Sequence, residues 1–157
     1  MQGAKKGKIN KIDGSKLKIG VVVSKFNNNI TEPMLEGALE TLKDNKVKKE
    51  NIKTIWVPGS FEIPLACQRL AQTKKYDALI ALGCVIKGET DHFYYIAGEA
   101  SRGIINVMLK FDIPVGFGVI TTNNLKQAQA RSRGKHNKGR EAAEAALVMV
   151  SHVTRNV

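Results

Sequence analysis

The sequence predicts a flavodoxin-like three-layer α/β/α sandwich on a four-stranded parallel sheet of order 2-1-3-4. Three observations carry this. Four short runs, residues 17–24, 52–57, 76–85 and 114–121, are apolar and rich in Val and Ile. Segments with apolar residues at helical spacing separate them, and strands alternating with helices build βαβ units with right-handed crossovers. The sharpest turn signals, Pro58-Gly59-Ser60 and Gly88, fall directly after strands. The 157 residues make one domain, long enough to bury roughly two-thirds of its unfolded surface.

In chain order, residues 1–16 are polar and basic and read as an arm outside the core. Residues 17–24 are nearly continuous in apolar content, as suits a strand covered on both faces. Residues 25–29 form the following loop. Thr31 is placed to cap a helix that tolerates Pro33 in its first turn, and Met34, Leu35, Ala38, Leu39 and Leu42 follow at helical spacing. The second strand, 52–57, alternates and ends at the Pro58-Gly59-Ser60 turn. Ser60 is the expected cap of a helix carrying Ile63, Leu65, Ala66, Leu70 and Ala71. The third strand runs over 76–85. After the Gly88 loop, Thr90 or Asp91 can cap a long helix over 92–109. The fourth strand, 114–121, alternates Gly116 and Gly118 with Val115, Phe117 and Val119. Asn124 with Gln127 resembles a capping box for a short helix, and an alanine-rich helix covers 138–153.

Composition narrows the function classes. No apolar run approaches the ~20 residues of a membrane span, and the N-terminus lacks the apolar core of a signal peptide. A cytoplasmic protein is expected. Cys67 and Cys84 are neither a CxxC pair nor clustered with His at metal-ligand spacing, which predicts buried thiols and no metal. Twenty-five Lys and Arg against 14 Asp and Glu give +11, a field that attracts anions. The lysines are scattered, and aromatics are only 6% without interleaving among them. That argues against a stacking platform for nucleic acid.

Ligands of parallel α/β sheets bind outside the carboxyl ends of the strands, here Phe26, residues 58–62, residues 84–92 and Thr121 onward. The strand, loop and helix start over 81–93 can present backbone N–H groups and a positive dipole end to an anion. Gly88-Glu89-Thr90 is the candidate cradle, although an ordinary capped loop has the same spacing. GxxxxGK[ST] and GxGxxG are both missing. His92, in the first helical turn, is the candidate proton-transfer group, or else a surface histidine. Arg131 could grip two phosphate oxygens or simply end a solvated helix. Phe26 and Phe117 are read at strand ends, where a ring could stack on a planar heterocycle or pack in the core. Glu62 could accept from a ligand hydroxyl or satisfy its own helix.

These residues resemble the lumazine synthase family of riboflavin biosynthesis. The matching stretches are Lys25-Phe26-Asn27, Val57-Pro58-Gly59-Ser60-Phe61-Glu62-Ile63-Pro64, the run from Gly83 to His92, Gly118-Val119-Ile120-Thr121-Thr122, Gln127-Ala128 with Arg131, and Asn137-Lys138-Gly139. The resemblance implies condensation of 5-amino-6-(D-ribitylamino)uracil with 3,4-dihydroxy-2-butanone 4-phosphate, without a cofactor. It implies that Phe26 stacks on the pyrimidine and that Ser60, Phe61, Glu62, Cys84, Val85 and Ile86 hold the ring and ribityl chain. Glu89, Thr90 and Arg131 would bind phosphate and His92 would shuttle protons. Phe117 and Arg131 would come from a neighbouring subunit, and Lys138 is a further candidate. The implied partners are copies of this chain, as pentamers or a 60-subunit shell of twelve pentamers, and riboflavin synthase. The arm, with Ile9 and Ile12, would add to a neighbour's sheet. Residues 131–139 are one residue shorter than the usual family form, at the point where shell and pentamer members differ. Gly116-Phe117-Gly118 is unusually glycine-rich, which predicts a loosened lip of the pocket.

Overall fold

All six residues of β1 (Ile19–Ser24) are buried. The computed structural model, which describes residues 11–153, explains why. β1 lies between β2 (Ile52–Val57) and β3 (Ala78–Ile86), and β4 (Val115–Thr122) completes a sheet of order β2-β1-β3-β4. Every pairing among the described residues is parallel. The inner strands carry the unbroken apolar runs, and the edge strand β2 alternates, as coverage on both faces requires.

Among the described residues five helices cover the sheet: α1 (Asn28–Asp44), α2 (Ile63–Gln72), α3 (His92–Phe111), α4 (Leu125–Ser132) and α5 (Lys138–Val153). One core joins α1, α4 and α5 to the sheet through Met34, Leu42, Ile80, Leu82, Ala143 and Leu147. The other joins α2 and α3 to its opposite face through Ile63, Leu70, Leu79, Ile104 and Val107. This is the three-layer sandwich that the alternating pattern predicts.

The helix starts differ from the sequence expectation. α1 begins at Asn28 behind Asn27, and Thr31 is not its cap. Thr31 is buried and donates its hydroxyl to Ser24 O at 2.8 Å. Ser60 begins a single 3₁₀ turn, Ser60–Glu62, rather than capping α2. The Asn124 cap is present: its Oδ1 accepts from Gln127 N–H at 2.9 Å, while Gln127 Oε1 accepts from Asn123 N–H at 2.9 Å.

The first ten residues, including Ile9, lie outside the described part of the chain. From Lys11 onward the expected arm packs on its own chain. Ile12 N–H donates to Asn45 Oδ1 at 2.8 Å and Gly14 N–H to Asn45 O at 2.7 Å. Ile12 and Leu17 pack against the α1–α5 core.

The Asn137-Lys138-Gly139 motif is a structural staple. Asn137 Nδ2 donates to Pro33 O and Ser132 O, both at 2.7 Å, and Oδ1 accepts from Gly139 and Arg140 N–H at 2.8 and 3.2 Å. One amide thereby caps α5 and ties it to α1 and α4. Gly139 lets α5 touch α1, because a Cβ there would overlap the Met34 carbonyl. Gly116 and Gly118 also serve close packing. A Cβ on Gly116 would overlap the Ala142 carbonyl of α5, so these glycines tighten a helix–sheet contact and do not loosen a pocket lip. Gly139→Ala is expected to cost about 1–3 kcal/mol by overpacking, read as a lower urea midpoint. An unchanged midpoint would contradict the close α1–α5 approach.

Candidate functional site

Three loops meet at the carboxyl edge of the sheet. After β1 the chain is stitched to β2: Lys25 N–H donates to Val57 O at 2.8 Å and Phe26 N–H to Pro58 O at 2.9 Å. Asn27 then turns through the left-handed region, with φ 58°, which asparagine adopts more readily than most residues. Its Nδ2 donates across to Cys84 O at 3.0 Å. The loop is thus held to the strands on both sides, and the Phe26 ring projects outward, 70% exposed.

The second wall follows β2. Gly59 N–H donates to Glu62 Oε2 at 2.9 Å, which fixes the carboxylate and leaves its other oxygen without a partner among the described residues. Ser60 is buried against β3, where its Oγ would come within 2.6 Å of a Cβ on Gly83. Phe61 stays 54% exposed. The floor is Cys84, Val85 and Ile86 at the end of β3. The far wall is Gly88, Thr90, His92, Phe93 and Ile96. These walls enclose a cavity of about 470 Å³, mostly apolar with a few convergent polar groups, as ligand pockets commonly are.

The far wall is the least bonded. Residues 87–92 are exposed, and Asp91, although in the N-cap position of α3, makes no side-chain cap bond. The N–H groups of Thr90, Asp91, His92 and Phe93 have no acceptor among the described residues. These amides, at the positive end of a 20-residue helix, can bind an anion.

Burial pushes the Cys84 thiol up to about 12, and that of Cys67 likewise. Neither sulfur is a thiolate near neutral pH, so Cys84 serves as wall rather than nucleophile.

The structure brings Phe26, Ser60, Phe61, Glu62, Cys84, Val85, Ile86, Thr90 and His92 together around one cavity. Four expected residues lie outside its lining. Glu89 is in the exposed loop. Phe117 is the third residue of β4, opposite Ala81 and well back from the carboxyl edge rather than at a strand end. Arg131 lies near the end of α4, where its Nη1 donates to Gln127 O at 3.0 Å. Lys138 Nζ pairs with both Glu141 oxygens at 2.9 and 2.8 Å. Sequence reasoning also overlooked Asn27, Phe93 and Ile96 as parts of the site. Ile96 had a readable signal, since it lies four residues after His92 on one helix face.

A sequence model of the 6,7-dimethyl-8-ribityllumazine synthase family matches residues 16–154. The chain belongs to this family. That places it in riboflavin biosynthesis, among proteins that form oligomers. The match spans every residue of the cavity and also Phe117, Arg131 and Lys138. Among solved structures, a de novo designed Rossmann fold protein is similar at 16% identity and TM-score 0.41, over 73% of this chain and 92% of that one. A GDP-L-fucose synthetase from Naegleria fowleri is similar at 12% identity and TM-score 0.39. That match covers 99% of this chain but about half, 48%, of the synthetase. Likeness at this level carries no information about a substrate. No helix among the described residues is long and apolar enough to cross a membrane.

The buried thiols of this family member yield a direct check. In the folded protein at pH 8, Cys67 and Cys84 should both resist Ellman's reagent, and both should react once urea unfolds the chain. Rapid labelling of Cys84 in the folded state would contradict its burial at the cavity floor.

Proposed function

We propose that the chain condenses 5-amino-6-(D-ribitylamino)uracil with 3,4-dihydroxy-2-butanone 4-phosphate. The products are 6,7-dimethyl-8-ribityllumazine, one phosphate and two waters. The observation that carries this is the convergence of the family's residues on one carboxyl-edge cavity. Phe26, Glu62, Thr90 and His92, far apart in sequence, all line it.

The chemistry suits these walls. The exposed Phe26 ring offers a face to the pyrimidinedione. Glu62, with one oxygen held by Gly59, accepts from a ribityl hydroxyl with the other. The unbonded amides at the start of α3, with Thr90 and Glu89 in their loop, take the phosphate. Amine attack on the ketone loses water and forms an imine. Elimination expels phosphate, and ring closure with loss of the second water completes the lumazine. Each step moves a proton, and His92 stands beside the anion cradle to carry it. Holding two reactive substrates in register supplies much of the rate, since well-oriented pairs gain on the order of 7–11 kcal/mol.

Phe117 and Arg131 complete the site from a second copy in this proposal. Both are exposed on this chain, and one chain's cavity lacks them. A ring of copies in which each chain's β4–α4 side faces the next chain's cavity would bring them together.

Mixing both substrates with the protein should produce lumazine absorbance. No turnover, together with no binding of a ribityl-pyrimidine analogue, would overturn the assignment. His92→Ala should lower kcat by about 10- to 100-fold, at the modest end for acid–base groups because orientation is retained. It should change KM far less. Subunit sharing is separately testable. His92→Ala and Arg131→Ala variants should each be impaired, yet co-refolded mixtures should restore about one site in four. Mixtures no more active than their parents would exclude a shared site.

A further inference from the structure

Lys87 and Tyr94 bracket the weakest wall of the cavity. Lys87 follows β3 directly, and its N–H donates to Thr122 O of β4 at 2.8 Å, so its backbone is fixed to the sheet. Tyr94 is in the first turn of α3, with its N–H donating to Asp91 O at 2.9 Å. The Tyr94 ring packs edge-on against Phe93, with centroids 5.3 Å apart and planes at 88°, and Phe93 lines the cavity. The Lys87 ammonium donates to the Tyr94 hydroxyl at 3.2 Å. It is 5.4 Å from the ring centre, so it addresses the oxygen more than the face.

Residues 88–91 between these anchors make no side-chain hydrogen bond among the described residues, and a Cβ on Gly88 would meet nothing within 4 Å. The Lys87–Tyr94 bond is therefore the side-chain tie across the loop among the described residues. We propose that Lys87 and Tyr94 are positioning residues. Their bond clasps the two ends of the loop, so that the Thr90 amide and the His92 ring face the phosphate-bearing substrate together. The use of the clasp rests on the condensation proposed above; its existence does not.

A clasp of this kind acts before ligand arrives. It narrows the conformations of the empty loop, so less order has to be imposed on binding. Lys87 could instead touch the phosphate itself, and the two roles differ in a measurable way. A direct ligand would make Lys87 matter and the Tyr94 hydroxyl not. A clasp makes both matter and makes their effects non-additive.

The variants are Tyr94→Phe, which removes only the hydroxyl, Lys87→Met, which keeps the stem, the double variant, and Lys87→Arg, which keeps a cation within reach of the phenol. The first readout is amide hydrogen exchange in the unliganded protein at Lys87 and Tyr94, the two ends of the loop, whose N–H groups are bonded to Thr122 O and Asp91 O. Tyr94→Phe and Lys87→Met should each speed it by about three- to tenfold, the range set by one hydrogen bond. The double variant should add nothing further, and Lys87→Arg should restore protection. The second readout is binding of inorganic phosphate, which should weaken by the same factor in both single variants. In turnover, KM for the phosphate substrate should rise by that factor, with KM for the pyrimidine and kcat changing less. Unchanged exchange in Tyr94→Phe would overturn the clasp. So would additive effects in the double variant, or weakened phosphate binding in Lys87→Met alone. If no protein, wild type included, formed lumazine, the condensation would fall, while exchange and phosphate binding would still decide the clasp.

Discussion

The hydrogen bond from the Asn27 side chain to the Cys84 carbonyl is the constraint on which the site depends. It spans from the loop after β1 to the end of β3, while two backbone bonds tie the same loop to the end of β2. Cavity walls built from three separate strands are thereby fixed relative to one another. A side-chain bond of this kind contributes only about 0.5–1.5 kcal/mol net, but its effect on geometry is larger than its effect on stability. It holds Asn27 in a left-handed turn that aims Phe26 outward. It also changes the start of α1. An asparagine engaged with Cys84 does not cap its own helix, and the buried Thr31 hydroxyl is tied to Ser24 instead.

The sheet is legible in the sequence because buried parallel strands leave a coarse signal. A run such as Gly20-Val21-Val22-Val23 has no polar face, and that fits only a strand covered on both sides. The helix starts are less legible because Ser and Thr hydroxyls have other acceptors. Thr31 and Ser60 look like caps by spacing, yet each packs inward against a neighbouring strand. Asn27 is harder still. Its role needs a positive φ and a partner 57 residues away, and neither leaves a local pattern. Asn137 is a similar case: the triad it begins looks like a ligand motif but joins α1, α4 and α5.

The cavity follows the same division. Phe26, residues 60–62, residues 84–86 and His92 are legible as one site because parallel topology sends all strand ends to one edge. Phe117, Arg131 and Lys138 are not. Phe117 sits mid-strand on the outer strand β4, Arg131 on a helix beyond it, and Lys138 is paired with Glu141. Sequence order places a residue on a surface but does not say which other copy that surface meets. An open cavity also leaves Glu62 and His92 facing water, where charge interactions are screened. A neighbour closing over them would exclude that water and strengthen every polar contact inside.

The walls are unequal in a way that matches the two proposed substrates. The wall beneath Phe26 and the wall at Glu62 are held by backbone bonds and by a buried serine. The wall at 88–91 is exposed, and its amides have no acceptor among the described residues. A planar pyrimidine gains from a rigid slot, because an aromatic face and a fixed carboxylate require little ordering on binding. A phosphate has the opposite requirement, since the reaction must first hold it and then release it as a free ion. Amides in a lightly tied loop can close around such an ion and reopen, and segments of low local stability are where such motion is available. The firm half of the cavity therefore suits the ring that stays, and the loose half suits the group that leaves.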